Sequence, residues 1–455
     1  MLTGPLLIVV FVISIVFLLV TIIKFNMNAF VSLLLTSVLT AMLVRMPVED
    51  ISDTITAGFS STVGGIGIVT GLGVMLGMFL FESGGIVSIA NAIIKKFGVK
   101  KSPIALALSA FVTGIPVFGD IVDILFAPMV RTLSYKTGIA RMTFVAAVAV
   151  SGSIAASAII PTPPPLAVSE ILGLNIGVFF VYSLFVSCFG MLFGGILWGR
   201  YLDKQEKKAG TQRVLEAADK EELAALEANN EDGISFGKSI SMILLPIIII
   251  VVCSFSSSAF AEGTTVRIWL DFIGDKNVAM LIGVFYAVII SKPYLKKSAA
   301  DVMIEAADQV GLVLLITGAG GSFGEIIQTT GIGDYLAQVF STFNIPILLM
   351  CFVLSQLIRC AQGSTTVALM TTASIMTSTI ASGAVSPVLA AIAICAGGVG
   401  LSLPNDSGFW SIGRFNRITI PETFKAWTTG GFIAGFVMFV VTCVLSLFQG
   451  VLPGL

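Results

Sequence analysis

Long apolar runs, parted by short polar breaks, recur along almost the whole chain. A helix needs about 20 apolar residues to cross a hydrocarbon core. Such runs predict first-half spans at Pro5–Ile23, Asn28–Val44, Gly65–Phe81, Thr143–Ile160 and Ile176–Gly199. Second-half spans are predicted at Ser239–Ser257, Val278–Ser291, Gly311–Ile327, Ser386–Leu403 and Thr429–Phe448. Between the third and fourth span of each half lies an extra stretch, Ser102–Val130 and Ile345–Ile380. One segment breaks the pattern: residues 200–238 are charged and rich in Ala, Glu and Lys. They read as a solvated cytoplasmic linker between two transmembrane units, 1–199 and 239–455.

Basic residues orient such a chain, because cytoplasmic loops carry an excess of Lys and Arg. Lys95, Lys96, Lys100 and Lys101 precede the first extra stretch, and Arg131, Lys136 and Arg141 follow it. Arg200, Lys204, Lys207 and Lys208 open the linker; Lys292, Lys296 and Lys297 come later. With all of these in the cytoplasm, Ser102–Val130 must enter and leave on one side, as a re-entrant hairpin or a pair of helices. Each half then has an odd number of spans, both termini lie outside, and the halves are upside down relative to each other. The expected fold is an all-α polytopic membrane protein of two inverted-topology repeats. Each repeat has about five spans plus a re-entrant helical hairpin and a broken helix.

An internal match supports the duplication. GLGVMLGMFLFESGG lies against GAGGSFGEIIQTTGI, aligning Gly71, Gly73, Gly77 and Gly84 with Gly318, Gly320, Gly324 and Gly331 without a gap. Pro103 pairs with Pro346 after a short gap, and SGSIAASAIIPTPPPLA parallels GGVGLSLPNDSGFW, each a small-residue run broken by proline. Inverted repeats are a signature of secondary transporters, whose sites sit near the bilayer midplane where helices break.

Composition narrows the class. Hydrophobic residues make up 56% of the chain, charged residues 11%, and the mean hydropathy is +1.02. The net charge of −1 offers nothing to a nucleic acid. Six cysteines lie in apolar segments without paired spacing and read as packing residues. The absence of histidine excludes a Ser-His dyad and a His-ligated metal. With no P-loop either, neither an enzyme, a self-powered pump nor a cofactor is expected. The first apolar run lacks a basic leader and a cleavage site, and reads as a retained span.

Against this background, intramembrane polar residues stand out, since a charge at mid-bilayer costs about 2.5–3.5 kcal/mol on insertion scales. In TGIPVFGDIVDILFAPM, Asp120 and Asp123 share a helix face. They are candidates for carrying a proton or holding Na⁺, or else for facing water at the hairpin tip. In IRCAQGSTTVA, Arg359 stands beside Gly363, Ser364, Thr365 and Thr366. Its guanidinium suits a bidentate carboxylate, either a substrate's or that of Asp406. The hydroxyls either contact substrate or satisfy helix carbonyls. In LPNDSGFW, Pro404 breaks the helix, and Asn405, Asp406, Ser407 and Gly408 form an unwound link suited to an ion or polar solute. The first-half counterpart is uncharged and offers Ser157 and Thr162. Glu82 and Glu325 lie near span ends and read as reaching the interface.

FNMNAFVSLLLTSVLTAMLVRMP, GAGGSFGEIIQTTGIGDYL, RCAQGSTTVALMTTASI and PNDSGFWSIGRFNRITIPETFKAW resemble the gluconate permease (GntP) family over nearly the whole chain. Arg359, Gly363, Ser364, Asn405, Asp406, Gly408 and Asp120 fall on that family's polar motifs. The resemblance implies a symporter of the bacterial inner membrane for gluconate, related sugar acids or D-serine, coupled to H⁺. It also implies the fold of the ion-transporter superfamily, with inverted repeats, hairpins, a homodimer and elevator-type movement. Two departures mark the chain: the family's histidines are missing from AASAIIPTPPP, and Asp123 replaces a usually apolar neighbour. They point to another small carboxylate and away from a histidine-based proton step. The expected function is uptake of a small organic carboxylate coupled to H⁺. The alternatives are Na⁺ coupling, a D-amino-acid substrate, or cation/proton antiport.

Overall fold

The computed structural model describes residues 2–455 except 26, 99–100, 117–118, 210–232, 258–259, 262, 334, 336–337, 340–345, 382 and 404–405. At 19, 22–23, 29, 66, 119–121, 124, 254–255, 309, 312–313, 316–317, 361–362, 378 and 407 it describes the backbone alone. The regular elements among the described residues are helices. The first half holds α1 (Leu6–Ile23), α2 (Ala29–Leu43), α3 (Val48–Glu82), α4 (Gly85–Phe97), α5 (Ser102–Gly114) and α6 (Gly119–Thr137). It continues through α7 (Arg141–Val145), α8 (Ser151–Ala158), α9 (Pro163–Ile171), α10 (Ile176–Gly190) and α11 (Trp198–Ala209). Two π-helical turns, Ala146–Val150 and Met191–Leu197, join α7 to α8 and α10 to α11. The second half holds α12 (Phe236–Ser257), α13 (Thr265–Gly274), α14 (Lys276–Ser291), α15 (Ala299–Thr329), α16 (Ile347–Gln362) and α17 (Thr365–Ala381). After these come α18 (Pro387–Val399), α19 (Ser407–Phe415), α20 (Ile420–Thr423), a third π turn at Phe424–Thr428, and α21 (Thr429–Ser446).

Among the described residues, five helices are long and apolar enough to cross a bilayer: Arg141–Ile171, Ile176–Ala209, Phe236–Cys253, Lys276–Tyr294 and Ile420–Ser446. A sixth is α3, bent by 44° between Gly65 and Gly67, where three glycines in four residues weaken the helix. Ten spans were expected. Two of the expected spans are short helices: α2 has 15 residues and α18 has 13, against the roughly 20 that a span needs. Both extra stretches form helix pairs as expected, α5 with α6 and α16 with α17. Gly65–Phe81 proves to be the latter part of the 35-residue α3, and Gly311–Ile327 lies inside the 31-residue α15. The last first-half span runs on through α11 into the expected linker, most of which lies outside the described residues.

Helices α3 and α15 contain the first three matched glycines of each copy, and they pack antiparallel. Near the start of α3, Ile55 accepts a 2.8 Å hydrogen bond from the Ser322 hydroxyl late in α15. At the other end, Glu82 pairs at 3.0 Å with Lys297, just before α15 begins. The backbones meet through glycine: a Cβ at Gly321 would lie 2.0 Å from Thr62 Oγ1 and 2.6 Å from the Gly58 carbonyl. Small residues let membrane helices approach this closely, where van der Waals contact replaces the hydrophobic drive. Both helices end alike: Gly84 (φ 75°) and Gly331 (φ 72°), aligned in sequence, take the left-handed conformation that stops a helix at little steric cost.

The broken helices occupy the interior. Every residue of α18 from Val388 to Val399 is buried, as an apolar helix lacking a polar face should be. Behind it, a Cβ at Gly435 of α21 would lie 2.4 Å from the Ala396 carbonyl. The charged first turns stay outside: Lys297 is held above its ordinary value of 10.5 by hydrogen bonds to Glu305 and Glu82, with burial opposing.

Two outcomes test this packing. Gly321→Val should destabilise the detergent-purified protein by about 1–3 kcal/mol, as overpacking does, whereas Gly71→Ala, with nothing within 4 Å of the new Cβ, should melt near wild type. The contribution of Lys297, whose folded-state value is raised, is complete below pH 10.5 and disappears as pH rises through the raised value. The melting difference between wild type and Lys297→Met should therefore hold from pH 7 to 10 and close at more alkaline pH.

Candidate functional site

A cavity of about 220 Å³ lies where arms of both hairpins meet both broken helices. A single water needs only about 10–15 Å³ on this measure, so a small solute fits. The second-half hairpin supplies Arg359 near the end of α16, Gly363 and Ser364 at the tip, and Thr365 and Thr366 at the start of α17. Gly363 (φ 77°) ends α16 in the left-handed conformation, and Ser364 Oγ accepts from the Val367 amide at 3.4 Å to open α17. The turn is therefore only two residues long. From the second broken helix come Asp406, Gly408 and Ile412. The first half contributes Asp123 of α6, Ser153, Ala156 and Ser157 of α8, and Thr162 and Pro164 at the α8–α9 break. Trp427, in the third π turn, completes the wall.

The central feature is an ion pair. Arg359 Nη2 donates to Asp406 Oδ2 at 2.5 Å, with side-chain exposures of 4% and 7%. The Ser402 hydroxyl also donates to Asp406 Oδ2, and the Thr428 hydroxyl holds the Ser402 carbonyl at 2.5 Å. Asp406 Oδ1 accepts from the Gly408 amide at 2.9 Å, capping α19. The carboxylate thus accepts three hydrogen bonds, while Nε and Nη1 of the buried guanidinium have no partner among the described residues. Buried donors left unpaired cost about 1–3 kcal/mol. Arg359 therefore retains capacity for another acceptor.

Two helix N-termini face this cavity, those of α17 (Thr365, Thr366) and α19 (Gly408). Their aligned peptide dipoles place partial positive charge there, which favours an anion. Within the described residues, no hydrogen bond occupies the hydroxyls of Ser153, Ser157 or Thr366, leaving them open to a polar solute. Thr162 and Thr365 instead donate to the carbonyls of Ile159 and Gly398, at 2.5 and 3.4 Å. Asp123, 6% exposed, puts a second carboxylate on the first-half wall.

Most of the candidates read from sequence meet in this one place. Arg359 takes the internal partner foreseen for it, Asp406, and also lines the cavity. Asn405 lies outside the described residues, and for Asp120 and Ser407 only the backbone is described, in the first turns of α6 and α19. Glu82 pairs with Lys297, and half-buried Glu325 sits against Gly58 of α3; neither lines the cavity. Sequence reasoning missed Ser153 and Ile412, each one helical turn from a residue it did name, so spacing would have found them. Ala156, Pro164 and Trp427 carry no comparable signal.

A family model described as GntP family permease matches residues 6–448. The chain belongs to the GntP permease family. Among GntP relatives, the low-affinity gluconate transporter of Escherichia coli is 29% identical over 94% of this chain and 96% of its own length. The inner membrane permease YgbN of the same organism is 31% identical over 95% and 97%. The gluconate permease of Bacillus licheniformis is 30% identical over 98% and 100%. The fold resembles that of the YdaH transporter of Alcanivorax borkumensis, with a TM-score of 0.65 at 14% identity over 89% of this chain and 90% of that one. It also resembles MtrF of Neisseria gonorrhoeae, with a TM-score of 0.64 at 14% identity over 90% and 87%. GntP membership and the apolar helices make this chain a multi-pass bacterial membrane transporter, not an enzyme.

Removing one partner from a buried pair leaves an uncompensated charge at a cost of about 3–5 kcal/mol. Asp406→Asn, which keeps the helix cap, and Arg359→Met should each lower the melting temperature. The double variant should melt closer to wild type than either single one.

Proposed function

We propose that this GntP permease takes up a small hydroxylated carboxylate, gluconate or a related sugar acid, in symport with H⁺. The observation that carries this reading is the buried Arg359–Asp406 pair in the cavity wall. An incoming carboxylate competes with Asp406 for the guanidinium, whose planar fork matches it. Asp406, released from its counter-charge, is the group that then carries the proton. Anion and proton cross together, and loss of the proton inside restores the internal pair and expels the substrate. Ser153, Ser157 and Thr366 hydrogen-bond the substrate hydroxyls, with Thr162, Thr365, Ser364 and the backbone at Gly363 and Gly408 shaping the pocket; Asn405 and Ser407 belong to the same link. Asp123, with Asp120 on the same helix, is the further ion-coupling group.

The antiparallel course of the sequence-matched helices α3 and α15 supports two inverted repeats. Exposed lysines on α4 and α11 support a cytoplasmic linker with both termini outside the inner membrane. Alternating access by elevator-like movement within a homodimer completes the reading.

Proteoliposomes with separately imposed pH and Na⁺ gradients decide it. Wild type should accumulate labelled D-gluconate or another sugar acid when the outside is acidic, and Asp406→Asn should lose that response. Uptake driven by Na⁺ alone, or an Asp406→Asn variant that still follows the pH gradient, would overturn the mechanism.

A further inference from the structure

Arg131 and Arg141 follow the first-half hairpin and in sequence read only as orienting charges. The structure buries both, at 5% and 8% exposure, and turns them towards the opposite half of the chain. Arg131 Nη1 donates to the carbonyl of Phe415, and Arg141 Nη1 donates to that of Asn416 at 3.4 Å. These carbonyls close α19, the nine-residue helix that begins at Asp406. The same end is tied down locally. The Ile418 amide donates to Gly413 at 2.9 Å and the Arg417 amide to Arg414 at 3.2 Å, with Arg417 at φ 51° where glycine would be usual.

Helices α6 and α19 pack side by side and run the same way. Asp123 and Gly408 line the cavity at one end, and Arg131 meets Phe415 at the other. At 1.5 Å per residue, Asp123 to Arg131 spans about 12 Å and Gly408 to Phe415 about 10 Å, so the two helices match in length. A cation on the last carbonyls also opposes the negative end of the helix dipole.

We propose that Arg131 and Arg141 are positioning residues of the transport site. By holding the C-terminal carbonyls of α19, they fix the register of the helix against α6, and so the placement of Asp406 opposite Arg359. The inference rests on the reading of that pair as the substrate and proton site, but its anchoring step stands on geometry alone. Two readouts separate them. Hydrogen–deuterium exchange of residues 407–415 in the detergent-purified full chain reports anchoring without any substrate. Uptake of D-gluconate into proteoliposomes reports positioning.

Arg131→Met should speed exchange across 407–415 while leaving α3 and α15 protected. It should also raise the half-saturation for D-gluconate about tenfold with maximal uptake within about twofold, since small misplacements weaken binding steeply. Arg131→Lys, which keeps a donor, should recover most of both effects. Unchanged exchange in 407–415 would overturn the proposal. So would faster exchange with an unaltered half-saturation, or exchange that rises equally everywhere. If Arg131→Met does not fold, Arg141→Met and Arg131→Lys carry the same comparison. If wild type takes up no D-gluconate, the substrate reading fails, and the exchange pattern still decides the anchoring.

Discussion

One buried contact organises the site: the guanidinium of Arg359 against the carboxylate of Asp406. Neither charge is tolerable alone at this depth, and the two come from elements that no local structure brings together, a hairpin arm and the cap of a broken helix. Their meeting specifies how α16 lies against α19. The Ser402 hydroxyl and the Gly408 amide also bond the carboxylate, and Thr428 holds Ser402 in turn. The guanidinium, by contrast, keeps unpaired donors among the described residues. That imbalance is the basis on which a second carboxylate is proposed to bind.

Such a pair needs a rigid frame, and the frame is built from the smallest residues. Gly58 and Gly321 bring α3 and α15 to backbone contact, while Gly194 and Gly430 join the second π turn to α21, and Gly435 brings α21 against α18. In lipid, where apolar surface gains nothing by being covered, close approach of this kind is the available source of cohesion.

The sequence was most legible where physics makes a residue conspicuous. Asp123, Arg359 and Asp406 are costly in apolar surroundings, and Gly363 and the proline breaks interrupt otherwise uniform runs. Asp123, Arg359, Asp406 and Gly363 all line the cavity. Trp427 and Ala156 were invisible for the converse reason, being apolar residues in apolar segments. Helix ends were harder to read, because hydropathy measures how greasy a stretch is, not whether its backbone continues as one helix. The α18 run, for example, stops at Val399, before the break. Arg131 and Arg141 were read only for sign, since counting charges cannot show that a helix end from the other half lies against them.

The tip of the second-half hairpin has one more consequence. Only Gly363 and Ser364 separate α16 from α17, and a connection that short has no slack. Arg359 and Thr365 therefore behave as two teeth of a single jaw, a guanidinium and a hydroxyl held at a set spacing on one wall of the cavity. Were the hairpin to shift, the two would move as one piece.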